Sequence, residues 1–536
     1  MFQRHKFFIN LFIVMLLVAI LTCCTTKTGV SEKEKGGELT VAVAEDPGFD
    51  QLDAASYNGL IQAYPMIYDS LVEYGEKGKI LPALATSWEI SPDGKTYTFY
   101  LRKGVKFSDG TPFNADAVKF SLERWRQKPE HSSITASKAL EKIEVVDSHT
   151  IKLHFNICYY PILTELTYPR PVRIMSPSAV TPAGDPNGKF AKPIGTGPWM
   201  VESYTKDQQA VLVRNPNYWG EKPRLSKIVL KVIPDPQTRV LALQSGQVDL
   251  AGGRMSSIPP ESLPLITKDS KLQIHRTEGS TSYFLIFNYN NEFFQDVRIR
   301  QAINYAVNKR SMVDNLLGGV GKPAQGLFQF TVPYVTERNN QGYPYDVNKA
   351  RELLAEAGWK DTDGDGILDK NGKPFKVSLA FQNVEYPEWK PMCEAIQGDL
   401  AKVGIQVNLK MLERTAYYDE LWKNRGYELI IYRTYSDSWN PHGFLAGLFH
   451  TAKGKPAVAW ADPKLELLID NVLSTMDETE RQKIYDEIFH LIYEQAMCVP
   501  LYYPEEIMVV NSRVQGFEFG TTAYCPVKWE RLFVTK

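Results

Sequence analysis

The stretch ALATSWEISPDGKTYTFYLRKGVKFSDGTPFNADA, residues 83–117, packs strand, turn and helix signals into one window. Thr96 to Arg102 alternates apolar and polar residues, the period of a half-buried strand. Asp93-Gly94 and Asp109-Gly110 mark turns on either side of it. Asn114 then reads as an N-cap, because its side-chain oxygen can accept from a free N–H of the first helical turn. Val118, Leu122 and Trp125 follow at i, i+4 and i+7, one face of a helix.

The same grammar extends outward. Glu38 to Ala44 and Ile151 to Phe155 read as strands. Val297 to Leu317 reads as a helix ending at Gly318-Gly319, with Ala302, Ile303, Ala306 and Val307 at helical spacing. Asp346 caps a helix that stops at Gly358. Asp477 caps another, with Ile484, Ile488 and Ile492 spaced by four. The short runs Lys376–Phe381 and Tyr427–Tyr432 lie between. Strands alternating with helices predict an α/β fold. The 536 residues are enough for about three folding units. A formal net charge of −1 argues against a basic nucleic-acid binder. With 43% hydrophobic and 12% aromatic residues, general disorder is excluded too.

The N-terminus has its own logic. Arg4 and Lys6 precede an apolar run from Phe7 to Ile20, the pattern of a signal peptide and too short for a comfortable membrane span. Leu21-Thr22-Cys23-Cys24 resembles a bacterial lipobox. It implies lipidation of Cys24 and removal of residues 1–23, with Cys23 as the alternative and an ordinary cleaved signal as the plainer reading. Residues 24–37 are polar, as a tether would be. Of the later cysteines, Cys158, Cys393, Cys498 and Cys525, none forms a CxxC pair, and spacing does not pair them.

Enzyme signatures are missing: there is no GxSxG, HExxH or GxxxxGK[ST]. Ile194-Gly-Thr-Gly-Pro-Trp199 lacks the third glycine of a nucleotide loop, and Pro198 spoils a phosphate-cradling helix start. Asp361-Thr-Asp-Gly-Asp-Gly-Ile-Leu-Asp369 is similar to a calcium loop at positions 1, 3, 5, 6 and 9. Gly372 stands where a bidentate Glu is needed, so a plain Asp/Gly hairpin turn is the competing reading. No two histidines sit at i, i+4. His154 and His490 read as structural, while His442 and His450 share one aromatic, turn-rich stretch.

Several stretches together resemble the extracytoplasmic solute-binding proteins of the peptide/nickel ABC importer family: residues 83–117, IGTGPW at 194–199, RNPNYWGEKP at 214–223, IPDPQTRVLALQSGQVDL at 233–250 and VRIRQAINYAVN at 297–308. The resemblance implies a two-lobed periplasmic-binding-protein (flytrap) fold with an extra subdomain in the first lobe. Lobe one would span 38–281 and 505–536, with a nested subdomain at 71–194. Lobe two would span 282–504.

Within that family the chain looks most like the nickel-binding branch. Residues 159–173 are close to that branch's carboxylate-binding segment, and the arginine that grips the chelator falls on Arg170. A guanidinium presents a planar fork matched to a carboxylate. Residues 433–442 resemble the branch's aromatic binding loop, placing Tyr435 and Trp439 against the chelate and Arg433 as a second cation. His450 is the candidate for a single imidazole ligand to the metal, while His442 is expected to hydrogen-bond locally. Two departures stand out. A tryptophan of the nickel branch has no counterpart in residues 127–140. Asp437 sits where peptide binders place the acid that holds an N-terminal ammonium.

The resemblance implies a lipid-anchored, monomeric binding protein in the periplasm or at the cell surface, with no prosthetic group and no nucleic-acid partner. It would deliver a nickel or related chelate to an ABC permease. A dipeptide or oligopeptide cargo is the alternative. A secreted hydrolase and a purely structural lipoprotein are the readings outside the binding class.

Overall fold

A computed structural model describes residues 36–131, 134–434, 441–451 and 457–535. Cys24 and most of the proposed tether lie outside them, as do Tyr435, Asp437 and Trp439.

Two mixed sheets organise the chain. The first has seven strands in the order Trp199–Thr205, Gln209–Arg214, Lys227–Val232, Glu38–Val43, Leu250–Gly252, Glu505–Asn511 and Leu272–Glu278. Glu38–Val43 runs parallel to Lys227–Val232, from Glu38 opposite Lys227 to Val43 opposite Val232, and the outer pairings are antiparallel. The second has six strands: Lys322–Pro323, Cys498–Tyr503, Tyr283–Phe287, Leu429–Arg433, Lys376–Phe381 and Gln406–Met411. Tyr283–Phe287 is buried at every residue, so it reads as a continuous apolar run without alternation. A third, antiparallel sheet of four strands holds Ala85–Ile90, Thr96–Leu101, Thr150–Phe155 and Leu140–Asp147.

The chain passes from the first large sheet to the second between Glu278 and Tyr283, and returns between Tyr503 and Glu505. Buried Gln329 ties both crossings together, donating from Nε2 to the carbonyls of Thr281 at 2.5 Å and Pro504 at 3.2 Å. One amide thus satisfies backbone acceptors on both connecting segments.

Local rules explain most elements. Asn114 caps Ala115–Trp125 by accepting from the Ala117 N–H at 3.0 Å, and Val118, Leu122 and Trp125 are buried. Full burial of each such aliphatic side chain is worth ~1.5–3 kcal/mol. Asp346 caps Val347–Glu356 and Asp477 caps Glu478–Glu494. The helix predicted over Val297–Leu317 instead ends at Ala306. Val307 turns extended, and Asn308 caps a new turn by accepting from the Ser311 N–H. Apolar spacing runs straight through this break because both pieces face the same core.

The GTG run has a packing role. A Cβ on Gly195 would lie 2.0 Å from the Ile67 carbonyl oxygen, and one on Gly197 would lie 2.6 Å from the Ile67 carbonyl carbon. Only glycine lets this strand entry close on the turn Tyr64–Ile67, where the Gly197 N–H donates to the Ile67 carbonyl at 2.9 Å.

Candidate functional site

The sequence-derived residues fall into three groups. Arg170 lies in the segment following the short helix Ile162–Glu165. Its Nη1 donates to the carbonyls of Tyr57 and, at 2.9 Å, Gly59. Beneath it, Tyr64 donates its hydroxyl to the Asn58 carbonyl at 2.6 Å. Burial pushes this phenol up to about 12, while the Ser56 hydroxyl and the Arg170 charge pull the other way. Among the described residues, no Asp or Glu stands within ion-pair distance of Arg170. Its charge is held by carbonyl dipoles, and a guanidinium so fixed retains donors for a further acceptor.

Arg433 ends the central strand Leu429–Arg433 of the second sheet. Its Nε donates to the Tyr386 hydroxyl and its Nη1 to the Thr434 carbonyl at 3.1 Å. Tyr386 stacks on Trp389 at 4.2 Å, and Tyr283 meets Tyr386 edge-on at 5.9 Å. Burial opposes the charge on Arg433, but the oxygens of Tyr386, Tyr432 and Tyr524 together outweigh it and the group is held firmly cationic. Among the described residues, the hydrogen-bond partners of Arg170 and of Arg433 share no member. The two arginines therefore occupy separate stations, not one charge pair.

Near the segment that carries Arg170, the lobes touch. The Tyr160 and Tyr485 hydroxyls lie 2.6 Å apart, the Tyr160 N–H donates to the Leu473 carbonyl at 3.0 Å, and Cys158 Sγ reaches the Ser474 carbonyl at 3.3 Å. The Arg481 guanidinium sits 4.5 Å over the Tyr160 ring. Thus the segment that carries Arg170 packs directly against the helices Pro463–Ser474 and Glu478–Glu494.

His442 lies in this seam and corrects the sequence reading. It is buried, and neither ring nitrogen has a hydrogen-bond partner among the described residues. Its Nε2 stands 3.7 Å from Glu165 Oε1, which already accepts from the Tyr159 hydroxyl at 2.7 Å. Glu165 Oε2 accepts from the Ala136 N–H at 2.7 Å. The local partner expected for His442 is missing because the ring points across the seam, edge-on to Tyr159 and Tyr160.

His450 is half-buried. Its Nδ1 lies 2.8 Å from the Thr451 carbonyl, an atom that only accepts, so Nδ1 carries the proton. Nε2 stands 3.1 Å from the exposed Asp470 carboxylate, outside hydrogen-bond alignment. Asp361, Asp363 and Asp369 have carboxylate oxygens within 4.8 Å of one another. Asp361 also accepts from the Gly364 and Gly366 N–H groups, as a self-capped turn does. Cys158, Cys393, Cys498 and Cys525 are all free.

Sequence reasoning missed Arg254 and Tyr524. Arg254 follows the buried strand Leu250–Gly252, and its guanidinium lies 5.4 Å from the Tyr524 ring. The signal available was Gly252-Gly253: a Cβ at Gly252 would lie 2.2 Å from the Ile507 carbonyl, so the pair lets the chain fold over its neighbour strand and present Arg254.

Two large sheets joined by two crossings, with cationic side chains at the junction, define a two-lobed periplasmic binding protein. The model of the bacterial extracellular solute-binding proteins, family 5 Middle, matches residues 79–456. The chain belongs to that family, whose members serve as the solute-binding proteins of ABC importers. It is 35% identical over 483 residues to the nickel-binding periplasmic protein of Escherichia coli strain K12, covering 87% of this chain and 88% of that one. The dipeptide-binding protein of the same organism is 29% identical, over 84% and 86% of the two chains. The crystal structure of NikA from Brucella suis in complex with Fe(III)-EDTA superposes with a TM-score of 0.84 at 32% identity, covering 93% of this chain and all of that one. No helix among the described residues is long and apolar enough to cross a membrane.

Proposed function

We propose that this protein captures a nickel chelate, or that of a related divalent metal, between its lobes and hands it to an ABC permease as a monomer, tethered outside the cytoplasm by a lipid on Cys24. The observation that carries the reading is Arg170: a guanidinium positioned by two backbone carbonyls, with no acid beside it among the described residues. A carboxylate-bearing chelator supplies the missing anion. Likeness to a nickel-binding relative and to a protein holding a metal–EDTA complex supports the same cargo class.

Lobe one is assigned to 38–281 and 505–536 with a nested subdomain at 71–194, and lobe two to 282–504. The strand membership of the two large sheets supports this division. Tyr435 and Trp439 would wall the chelate beside Arg433. His450 would supply one imidazole to the metal; its Nδ1–H donation to a backbone carbonyl is the usual orientation for a ligating histidine. Closure requires that the ligand bind the closed lobes better than the open ones.

Calorimetry with nickel plus free histidine tests the cargo. Heat with that mixture and none with dipeptides is expected. Heat with peptides alone would favour the second reading, a dipeptide or oligopeptide receptor in which Asp437 holds the ammonium. That reading draws support from the dipeptide-binding relative. Asp437→Ala would then abolish peptide binding with the fold intact.

A further inference from the structure

The two carbonyls that hold Arg170 belong to one loop, between the turn Phe49–Gln51 and Leu60. No strand runs through that loop, so no sheet ladder fixes it. Its ends meet where the Leu60 N–H donates to the Pro47 carbonyl at 2.9 Å. Side chains hold the rest. Arg124, in the last turn of the helix Ala115–Trp125, grips Asp53: Nε donates to the carboxylate at 3.0 and 3.1 Å, and Nη2 at 2.5 Å. Its Nη1 donates to the Pro186 and Gly188 carbonyls, each at 2.8 Å. The Arg124 and Asp53 side chains are only 11% and 14% exposed. Asp53 also accepts from the Ala55 N–H at 3.0 Å. From below, the Tyr64 hydroxyl gives its proton to the Asn58 carbonyl and lies 3.2 and 3.3 Å from the carbonyls of Asp53 and Ser56.

We propose that Asp53, Arg124 and Tyr64 are positioning residues for Arg170, acting through the loop: they fix the carbonyls of Tyr57 and Gly59, and those carbonyls aim the guanidinium. A carbonyl directs a side chain only as well as its own backbone is held. With the loop loosened, Arg170 samples more directions, and binding must order both the side chain and the loop. The ion pair is the sensitive member. Neutralising Asp53 leaves a largely buried guanidinium facing two carbonyls and no counter-charge, and such a group draws in water or shifts. Tyr64 is the milder member, because its ring still fills the same space when the hydroxyl is removed. The inference rests on the reading that Arg170 grips the cargo, and it adds the residues that hold Arg170 ready.

Two measurements on the full chain test it. The first needs no cargo: NMR of the guanidinium nitrogens, with the Arg170 signal assigned by its loss in Arg170→Lys. Held by two carbonyls, the Arg170 guanidinium is expected to rotate slowly about its Nε–Cζ bond. Asp53→Asn and Tyr64→Phe are expected to speed that rotation by about tenfold, and Asp53→Glu to restore part of the restraint. The second is calorimetry with nickel plus histidine as a double-mutant cycle. With Arg170 present, Asp53→Asn is expected to weaken binding about fivefold and Tyr64→Phe about threefold; in the Arg170→Lys chain each costs less than ~1.5-fold. A general loss of packing would weaken binding equally in both backgrounds. Tyr64→Phe carries the test if Asp53→Asn fails to fold, and the rotation measurement alone decides if Arg170→Lys gives no heat. Unchanged rotation in the variants, or equal losses in both backgrounds, overturns the proposal. Faster rotation in the variants, with no heat from nickel and histidine in the wild-type chain, removes the proposed cargo and leaves the positioning of Arg170 standing.

Discussion

Arg170 and Arg433 are the same side chain used in two ways. Arg170 is pinned by carbonyl oxygens of a loop that sequence places more than a hundred residues away. Arg433 stands at a strand end among phenols, with one bond to a tyrosine hydroxyl and one to its neighbour's carbonyl. The first arrangement fixes direction before a ligand arrives, so little side-chain freedom is lost on binding. The second offers charge in a wall of rings that can adjust to different shapes. On the proposed reading, the cargo would meet one rigid grip and one accommodating one.

The largest effect expected from breaking this contrast is at the rigid station. Arg170→Ala should weaken nickel–histidine binding more than tenfold by calorimetry, ~1.4 kcal/mol or beyond. Arg170→Lys should recover little, because an ammonium cannot hold the two carbonyls and present a planar fork as well. Full recovery by lysine would mean that only charge matters there. Arg433→Ala should cost less, about fivefold or ~1 kcal/mol, since a less rigidly positioned side chain contributes less net binding energy. A loss greater than that of Arg170→Ala would reverse the ranking. Tyr386→Phe should be mildest, about threefold or ~0.6 kcal/mol, as Arg433 loses one acceptor and retains the Thr434 carbonyl. If Tyr386→Phe matches Arg433→Ala in calorimetry, the phenol positions Arg433 as rigidly as the loop positions Arg170.

A contrast among the other arginines explains what was legible. Arg239 and Arg300 are buried and donate to backbone carbonyls: Arg239 to Ile233, Pro234 and Ser257, and Arg300 to Phe294, Gln295 and Gln495. They hold loops together. In sequence they look no different from Arg170, because carbonyl partners carry no residue signature. Arg170 was singled out through its resemblance to a known segment, and Arg254 was passed over because Tyr524, the ring beside it, lies far away in the chain. His442 was misjudged for a related reason: its surroundings are Tyr159, Tyr160 and Glu165, about 280 residues earlier. The break at Val307 escaped notice because two helical pieces facing one core keep the apolar spacing of a single helix.

What the sequence determined alone were the features set by short-range physics. Alternation in Thr96–Leu101 placed a strand, and Asn114, Asp346 and Asp477 placed caps. Such signals rest on sterics and hydrogen bonds within a few residues, so neighbours in the chain suffice. The tertiary structure decided which glycines of Ile194–Trp199 meet the Ile67 backbone, that Gln329 ties the two crossings, and that Arg254 lies beside the Tyr524 ring. Those outcomes depend on distances between residues remote in sequence, and local pattern carries no measure of such distances.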